Sequence, residues 1–372
     1  MIHAKKSKGD AMILHPQELD LAKAYSTTHT FEGLSEDQLH SIAKRSRVLY
    51  QWFKTHPILH SAITVAVLAF LFAADYWALM RLPRWLLPAG ETHPISVILL
   101  AACLAGFLHS YLLYSMAFFT MHDGYSHKVL FPMTTRTGRW AHTIASNLCR
   151  FASAEPDYFS KYHMPHHLKF GTEDDGEFLN FVFPRRYWMS LLPLAAYTNF
   201  NDFLIHRPPT YTKSRIWSAV MALGYNGLYS YLIYQAFGGL FTIVAMVVML
   251  PHVGFYLDRV RQFTEHNLMP LENTNGARSF GLGFWGMLLG GGPWGSPCHL
   301  EHHLAVNLPW YGQLLLHVHL RRLLTPEQRC QFLIAPVVGW PKLWWRIVRD
   351  LNAFRRLHVA PGHGVVLTRN RS

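Results

Sequence analysis

The stretch PILHSAITVAVLAFLFAADYWAL, residues 57–79, decides the fold. It is apolar almost throughout, and at about 1.5 Å per residue a helix of this length crosses a hydrocarbon layer of about 30 Å. Three more such spans follow, at about Ile95–Phe119, Ile216–Gln235 and Leu240–Leu257. Between the third and fourth stands only AFGGL (236–240), which predicts a tight hairpin, and RLPRWLLPAGETH (81–93) joins the first two. YWMSLLPLAAYTNF (187–200) is too short to span comfortably, and FLIAPVVGWPKLWWRIV (332–348) is broken by two prolines. Both read as segments lying in the headgroup plane.

Composition agrees with a membrane. Half the residues are hydrophobic and 15% are charged, against about 25% in soluble domains. The net charge of +12 flanks apolar segments and forms no basic-aromatic module, so anionic headgroups explain it, with an acidic protein partner second and nucleic acid excluded. Lys and Arg number eight in the first 56 residues, eleven from Lys128 to Arg215 and thirteen after residue 258, but two and none in the hairpin loops. The positive-inside rule then puts both termini and the middle segment in the cytosol. Four dispersed cysteines argue against a disulfide framework, a zinc ribbon or an iron–sulfur domain, and the polar first 50 residues against a cleavable signal peptide. The domain reading is a cytosolic N-terminal segment (1–56), a membrane and catalytic domain (57–310) and a cytosolic or interfacial C-terminal segment (311–372).

Two of the hydrophilic stretches repeat one pattern. KYHMPHH (161–167) and CHLEHHLAV (298–306) each contain His-x-x-His-His: His163, His166, His167, then His299, His302, His303. At about 100° per residue, three imidazoles so spaced share an arc of about 100° on a helix. Crowded imidazoles suit a cation, which they bind while neutral. HDGYSH adds His122 and His127, which a regular helix would hold about 140° apart, so the chain must break at Gly124 or the helix unwind there. His266, in RQFTEHNLMP, follows the fourth span. All nine fall on the cytosolic side in this topology. His109 and His252 inside spans, and His56, His60, His93, His206, His317 and His319 elsewhere, read as packing or surface residues.

Nine imidazoles exceed the needs of one metal and suit two, with four or five each. Zinc would accept these ligands, but iron gives a reason for open positions beside lipid, since reduced iron activates dioxygen. No Glu-x-x-His pair is present, which excludes the carboxylate-rich di-iron bundles. Asp123, Asp157, Glu173, Asp174, Asp175, Glu265 and Glu301 are candidates for orienting imidazole N–H groups, with solvated surface carboxylates the competing reading. Gln262, one turn before His266, is a candidate to hold a metal-bound water.

HDGYSH, HMPHH and HLEHH, with His266 ahead of the last box, together resemble the membrane fatty acid desaturase and hydroxylase superfamily over roughly residues 95–310. The resemblance implies an all-α integral membrane fold, four transmembrane helices in two hairpins under a cytosolic helical cap that holds a di-iron site. It implies two Fe ions, O2 as co-substrate and oxidation of an acyl chain, in a bacterial inner membrane or an ER membrane. The first box opens His-Asp as in acyl-lipid enzymes yet has the four intervening residues of acyl-CoA enzymes, and Gln262 stands where some acyl-CoA desaturases have asparagine. The carrier therefore stays open among acyl-lipid, acyl-CoA and acyl-carrier protein. With no His-Pro-Gly-Gly haem motif, electrons are expected from a separate ferredoxin, rubredoxin or cytochrome b5. A membrane hydroxylase of a lipid or hydrocarbon shares every ligand, whereas a metal transporter would place its ligands within the bilayer. GLGFWGMLLGGGPWGSP (281–297) is either a wall beside the substrate entrance or a loop returning the chain to the site, and it lacks the Gly-Lys-Ser/Thr of a phosphate loop.

Overall fold

The computed structural model describes residues 13–14, 33–169, 212–266, 276–334, 339–345, 349 and 365–366. The stretch 187–200 and the acids Glu173, Asp174 and Asp175 lie outside the described residues. Apart from a two-residue antiparallel pairing of Ile13–Leu14 with Val365–Val366, the described chain is helical.

Helix α1 (Glu36–Thr55) starts at a capping box in which Ser35 and Gln38 satisfy each other's backbone N–H. Next come α2 (Pro57–Tyr76), a π turn (Trp77–Arg81) and α3 (Leu82–Leu86), one apolar run of 30 residues from Pro57 to Leu86. Helix α4 (Ile95–Phe118) continues as a π turn (Phe119–Ser126) to make a second run of 32. Then follow α5 (Arg136–Ser146), a 3-10 turn (Asn147–Ala152) and α6 (Pro156–Lys169). The third run, Lys213–His266, is 54 residues long, formed by α7 (Thr212–Thr242), a π turn (Ile243–Met249) and α8 (Leu250–His266). Short helices complete the order: α9 (Phe284–Leu289), α10 (His299–Leu304), α11 (Trp310–Leu323) and α12 (Pro326–Phe332).

Three runs are thus long and apolar enough to cross a membrane among the described residues. The expectation was four spans. The difference lies at Gly238, where φ 81 and ψ 179 interrupt a helix that otherwise counts as one. Asn226 before that break and the carbonyl of Leu250 after it hydrogen-bond consecutive α4 residues, His109 (3.1 Å) and Ser110 (2.7 Å). A straight helix would hold residues 226 and 250 about 36 Å apart, so the chain doubles back at the AFGGL stretch.

The apolar side chains collect into layers. Leu79, Ala101, Ala105, Ile233, Phe241 and Ala245 pack the helices at one end of the spans. Val67, Leu71, Leu113, Met116, Phe119 and Leu130 pack under the histidine site. Ile42, Leu49, Phe53, Leu300, Leu316 and Leu320 join α1 to α10 and α11, each such burial stabilising by about 1.5–3 kcal/mol. The N-termini of α1 and α12 abut, each with its own capping box, and Gln38 and Gln328 exchange amide hydrogen bonds of 2.8 and 3.0 Å.

Between α2, α4 and α7 lies a buried polar group. His109 Nδ1 faces Asp75 Oδ1 at 2.6 Å, the Tyr225 hydroxyl donates to Asp75 Oδ2 at 2.7 Å, and Asn226 Nδ2 donates to two carbonyls. Asn226 Oδ1 therefore accepts from His109 Nε2, so the polar side chains between these helices are paired with one another. His109 packs, as its isolation in the sequence predicts.

Candidate metal centre

The first box lies on the wide turn that ends α4. His127 N donates to His122 O at 3.1 Å, an i→i+5 bond that stacks the two residues, so their rings lie 4.8 Å apart. The helix widens here and does not break. Gly124 serves close packing instead: a Cβ there would stand 2.7 Å from both Leu130 Cδ1 and Ser146 Oγ.

The two His-x-x-His-His boxes sit on α6 and α10 and face each other. His122, His127, His163, His167 and His302 converge, one ligand atom from each lying within 4.8 Å of the others, and His166, His266, His299 and His303 do likewise. The partition explains the repeated motif. On each helix the i and i+4 imidazoles point together and the i+3 imidazole diverges. His163 and His167 therefore serve the five-membered cluster while His166 crosses to the other. On α10 the roles swap: His299 and His303 serve the four-membered cluster and His302 crosses back. The clusters adjoin, with His167 and His303 ring centroids 4.6 Å apart.

Within each cluster the Nε2 atoms confront one another, His163 with His167 at 2.9 Å, His167 with His302 at 2.9 Å, and His266 with His299 at 2.9 Å. The other ring nitrogens are engaged from behind: His122 Nδ1 by Asp123 at 2.7 Å, His266 Nδ1 by the Gly276 carbonyl at 3.0 Å, His299 Nδ1 by Ser296 Oγ at 2.8 Å, and His302 Nδ1 by the Gln313 amide at 3.4 Å. A carboxylate or carbonyl on Nδ1 fixes the N–H there and turns the Nε2 lone pair inward. His122 Nε2 is buried with no hydrogen-bond partner.

Burial first, and neighbouring imidazoles second, hold His163, His167, His299, His302 and His303 well below the usual histidine range. Burial takes His127 down to about 3. All six are neutral at physiological pH, with converging lone pairs that repel unless a cation lies between them. The donor set fits metal.

The remaining candidates take varied places. Asp123 engages a cluster ring directly. Glu265 lies 3.6 Å from His299 Nε2, hydrogen-bonded by Arg261 and, at 3.3 Å, by Ser296. Glu301, inside the last box, faces His317 Nδ1 at 2.6 Å and accepts from Ser279. It ties α10 to α11 and touches no cluster ring in these bonds. Burial lowers the His317 pKa, but Glu301 outweighs it and the net shift is upward. Cys298, Glu301 and His317 form a third group of metal-capable atoms, already engaged by that carboxylate. Asp157 accepts from Tyr125, on the wide turn between His122 and His127, and lies 3.7 Å from Arg150. Gln262 donates to Asp258 at 3.2 Å. Sequence reasoning did not single out Ser296, Gln313 or Gly276, whose contacts depend on tertiary approach. It left His317 among the surface residues.

The described chain thus combines membrane-length apolar helices with two adjoining, buried histidine clusters that could each hold a metal ion. The fatty acid desaturase family matches residues 96–334, well over half the chain, and the chain is a member of that family. No curated protein matches it.

Proposed function

We propose that the protein is an O2-dependent fatty acyl desaturase whose nine histidines hold two irons. The observation that carries this reading is the division of nine buried imidazoles into adjoining groups of five and four. Each group is rich enough to bind a transition metal and, with no carboxylate in either, suited to iron or zinc. Family membership favours iron. A pair of irons supplies dioxygen activation when bound.

The chain's own residues supply the setting. Asp123, Ser296 and the Gly276 carbonyl hold His122, His299 and His266 in the tautomer that presents Nε2. Leu113, Met116 and Phe119, buried in the apolar layer of α4 and the turn that carries the first box, give the clusters apolar surroundings. The balanced reaction takes one dioxygen, two electrons and two protons, removes two hydrogens from adjacent methylenes and releases two waters. The electrons come from a separate ferredoxin, rubredoxin or cytochrome b5, and the chain to be oxidised arrives on lipid, CoA or acyl-carrier protein. The reversal at Gly238 supports four spans in two hairpins, and the Lys and Arg distribution supports cytosolic clusters and termini.

Mass spectrometry of acyl chains from cells expressing the protein, with iron and a reductant system supplied, tests the reading. Loss of two hydrogens is expected. Gain of one oxygen would make the enzyme a hydroxylase using the same clusters, and absence of both products would contradict the proposal.

A further inference from the structure

Helix α5, RTGRWAHTIAS (136–146), has one face in the protein and one outside it. Gly138, His142, Ala145 and Ser146 are buried and share an arc of about 100°. That face bears on the wide turn of the first box, where a Cβ at Gly124 would stand 2.7 Å from Ser146 Oγ. On the other side Arg136, Trp140 and Ile144 follow one another at i, i+4 spacing and form a single ridge. Trp140 and Ile144 are 61% and 64% exposed, and the exposed Arg139 stands beside them. No Asp or Glu occurs in residues 128–154.

The depth of α5 follows from the residues on either side of it. On α2 and its continuation, Arg81 and Arg84 mark the end next to the first hairpin loop. A hydrocarbon core takes about 20 helical residues, which counts back from those arginines to about residues 61–64. The Thr64 hydroxyl donates to the Leu130 carbonyl at 2.7 Å, just before α5. On α7 the corresponding end is the reversal at Gly238, and about 20 residues back from it stands Ser218. Arg150 Nη1 donates to Ser218 Oγ at 2.7 Å and to the Ser214 carbonyl at 3.0 Å, just after α5. Two helices thus serve as independent rulers, and both put the flanks of α5 at the boundary between hydrocarbon and headgroups. Phe151, next to Arg150, reaches the other way: its ring stacks on Tyr225 at 4.4 Å and lies 6.2 Å from Phe72, about two turns deeper on each helix.

We propose that α5 lies in the headgroup plane of the bilayer that α2 and α7 cross, with Trp140 and Ile144 in the outer acyl region and Arg136 and Arg139 against lipid phosphates. An amphipathic helix that combines Trp with Arg and carries no acid suits this layer. The first box is thereby seated at the membrane surface, because the buried face of α5 rests on the turn between His122 and His127. The inference needs α2 and α7 to cross a membrane and does not depend on the oxidative chemistry.

Spin labels on Trp140→Cys and Ile144→Cys, in a Cys103→Ser/Cys330→Ser background of the full chain in phospholipid vesicles, test it. Leu228→Cys, 58% exposed and about midway between Ser218 and Gly238, is the mid-bilayer control, and the exposed Glu327→Cys is the water control. Collision with oxygen should exceed collision with a water-soluble nickel chelate at 140 and 144, by a smaller ratio than at 228, with the reverse at 327. Dominance of nickel at 140 and 144, with the Leu228 control behaving as expected, would leave that face to water or to a protein partner and overturn the proposal. Nickel at 228 as well would overturn the membrane placement of α7, and the proposal with it. If these variants do not fold, a diazirine photolabel near the headgroup end of a phospholipid acyl chain gives the same decision on the unmodified chain. Adducts are expected in the tryptic peptide 140–150, and adducts at Ile216 or Trp217 with none in that peptide would overturn the proposal.

Discussion

His163 and His166 are three positions apart on one helix, yet they serve different clusters. Their alanine variants should therefore differ in kind. His166→Ala leaves three imidazoles in its cluster and His163→Ala leaves four in the other. His166→Ala should lower bound metal from about two ions per chain towards about one, whereas His163→Ala, which leaves as many imidazoles as the smaller cluster holds, should keep about two with the larger cluster's coordination spectrum altered. Metal analysis with Mössbauer spectroscopy after iron-57 loading makes the comparison. Identical spectra would mean that the clusters do not act as separate sites. The boxes were legible because helical periodicity alone gathers i, i+3 and i+4. Their division between two centres was not, since it depends on how α6 and α10 face each other. For the same reason Asp123 could be singled out beside its own histidine, whereas Glu301 finds His317 sixteen residues on, across a helix boundary.

At the scale of elements, the wide turn Phe119–Ser126 is the device that makes the first box usable. Five-residue spacing fails on an α-helix and succeeds on a π turn, and the sequence left a break at Gly124 and an unwinding as open alternatives. Gly124→Ala would push a methyl against Leu130 and Ser146. Overpacking of this kind costs about 1–3 kcal/mol, to be read as a lowered thermal midpoint, with metal lost first from the cluster containing His122 and His127. An unchanged midpoint and full metal loading would show that the turn tolerates a Cβ. The doubling back at Gly238 was legible because two glycines separate two apolar stretches. The contacts of the glycine-rich segment 281–297 were not: its Met287, Leu289 and Gly291 carbonyls accept from the Tyr111, Tyr114 and Ser115 hydroxyls of α4, and nothing in its local pattern names those partners.

Over the whole molecule, buried neutral histidines make stability depend on pH. For His127, His163, His167, His299, His302 and His303 the folded pKa lies below the ordinary value near 6.5. Below that value the unfolded chain takes up more protons than the folded one, so stability falls with falling pH. The contribution is present above about pH 6.5 and is lost progressively on acidification. His317 has the opposite sign: its pairing with Glu301 stabilises most below its unfolded pKa and fades as pH rises through the raised folded value. The lowered histidines outnumber it, and His142, lowered to about 4 by burial, adds to them, so the metal-stripped protein in detergent should unfold at a lower temperature at pH 5 than at pH 7.5. A midpoint that is flat or rises on acidification would contradict the neutral-imidazole description. All-helical architecture and membrane-length helices were legible from composition and span length. The number of spans was less so in the structure, where a single reversal at Gly238 separates three apolar runs from four.

The central claim is that two separate centres, one of five and one of four histidines, bind redox-active metal. Its most direct test is metal quantification with Mössbauer spectroscopy on the purified full chain in lipid. The account predicts about two irons per chain in two distinguishable nitrogen-rich environments. An active preparation holding one zinc per chain and no iron would contradict it.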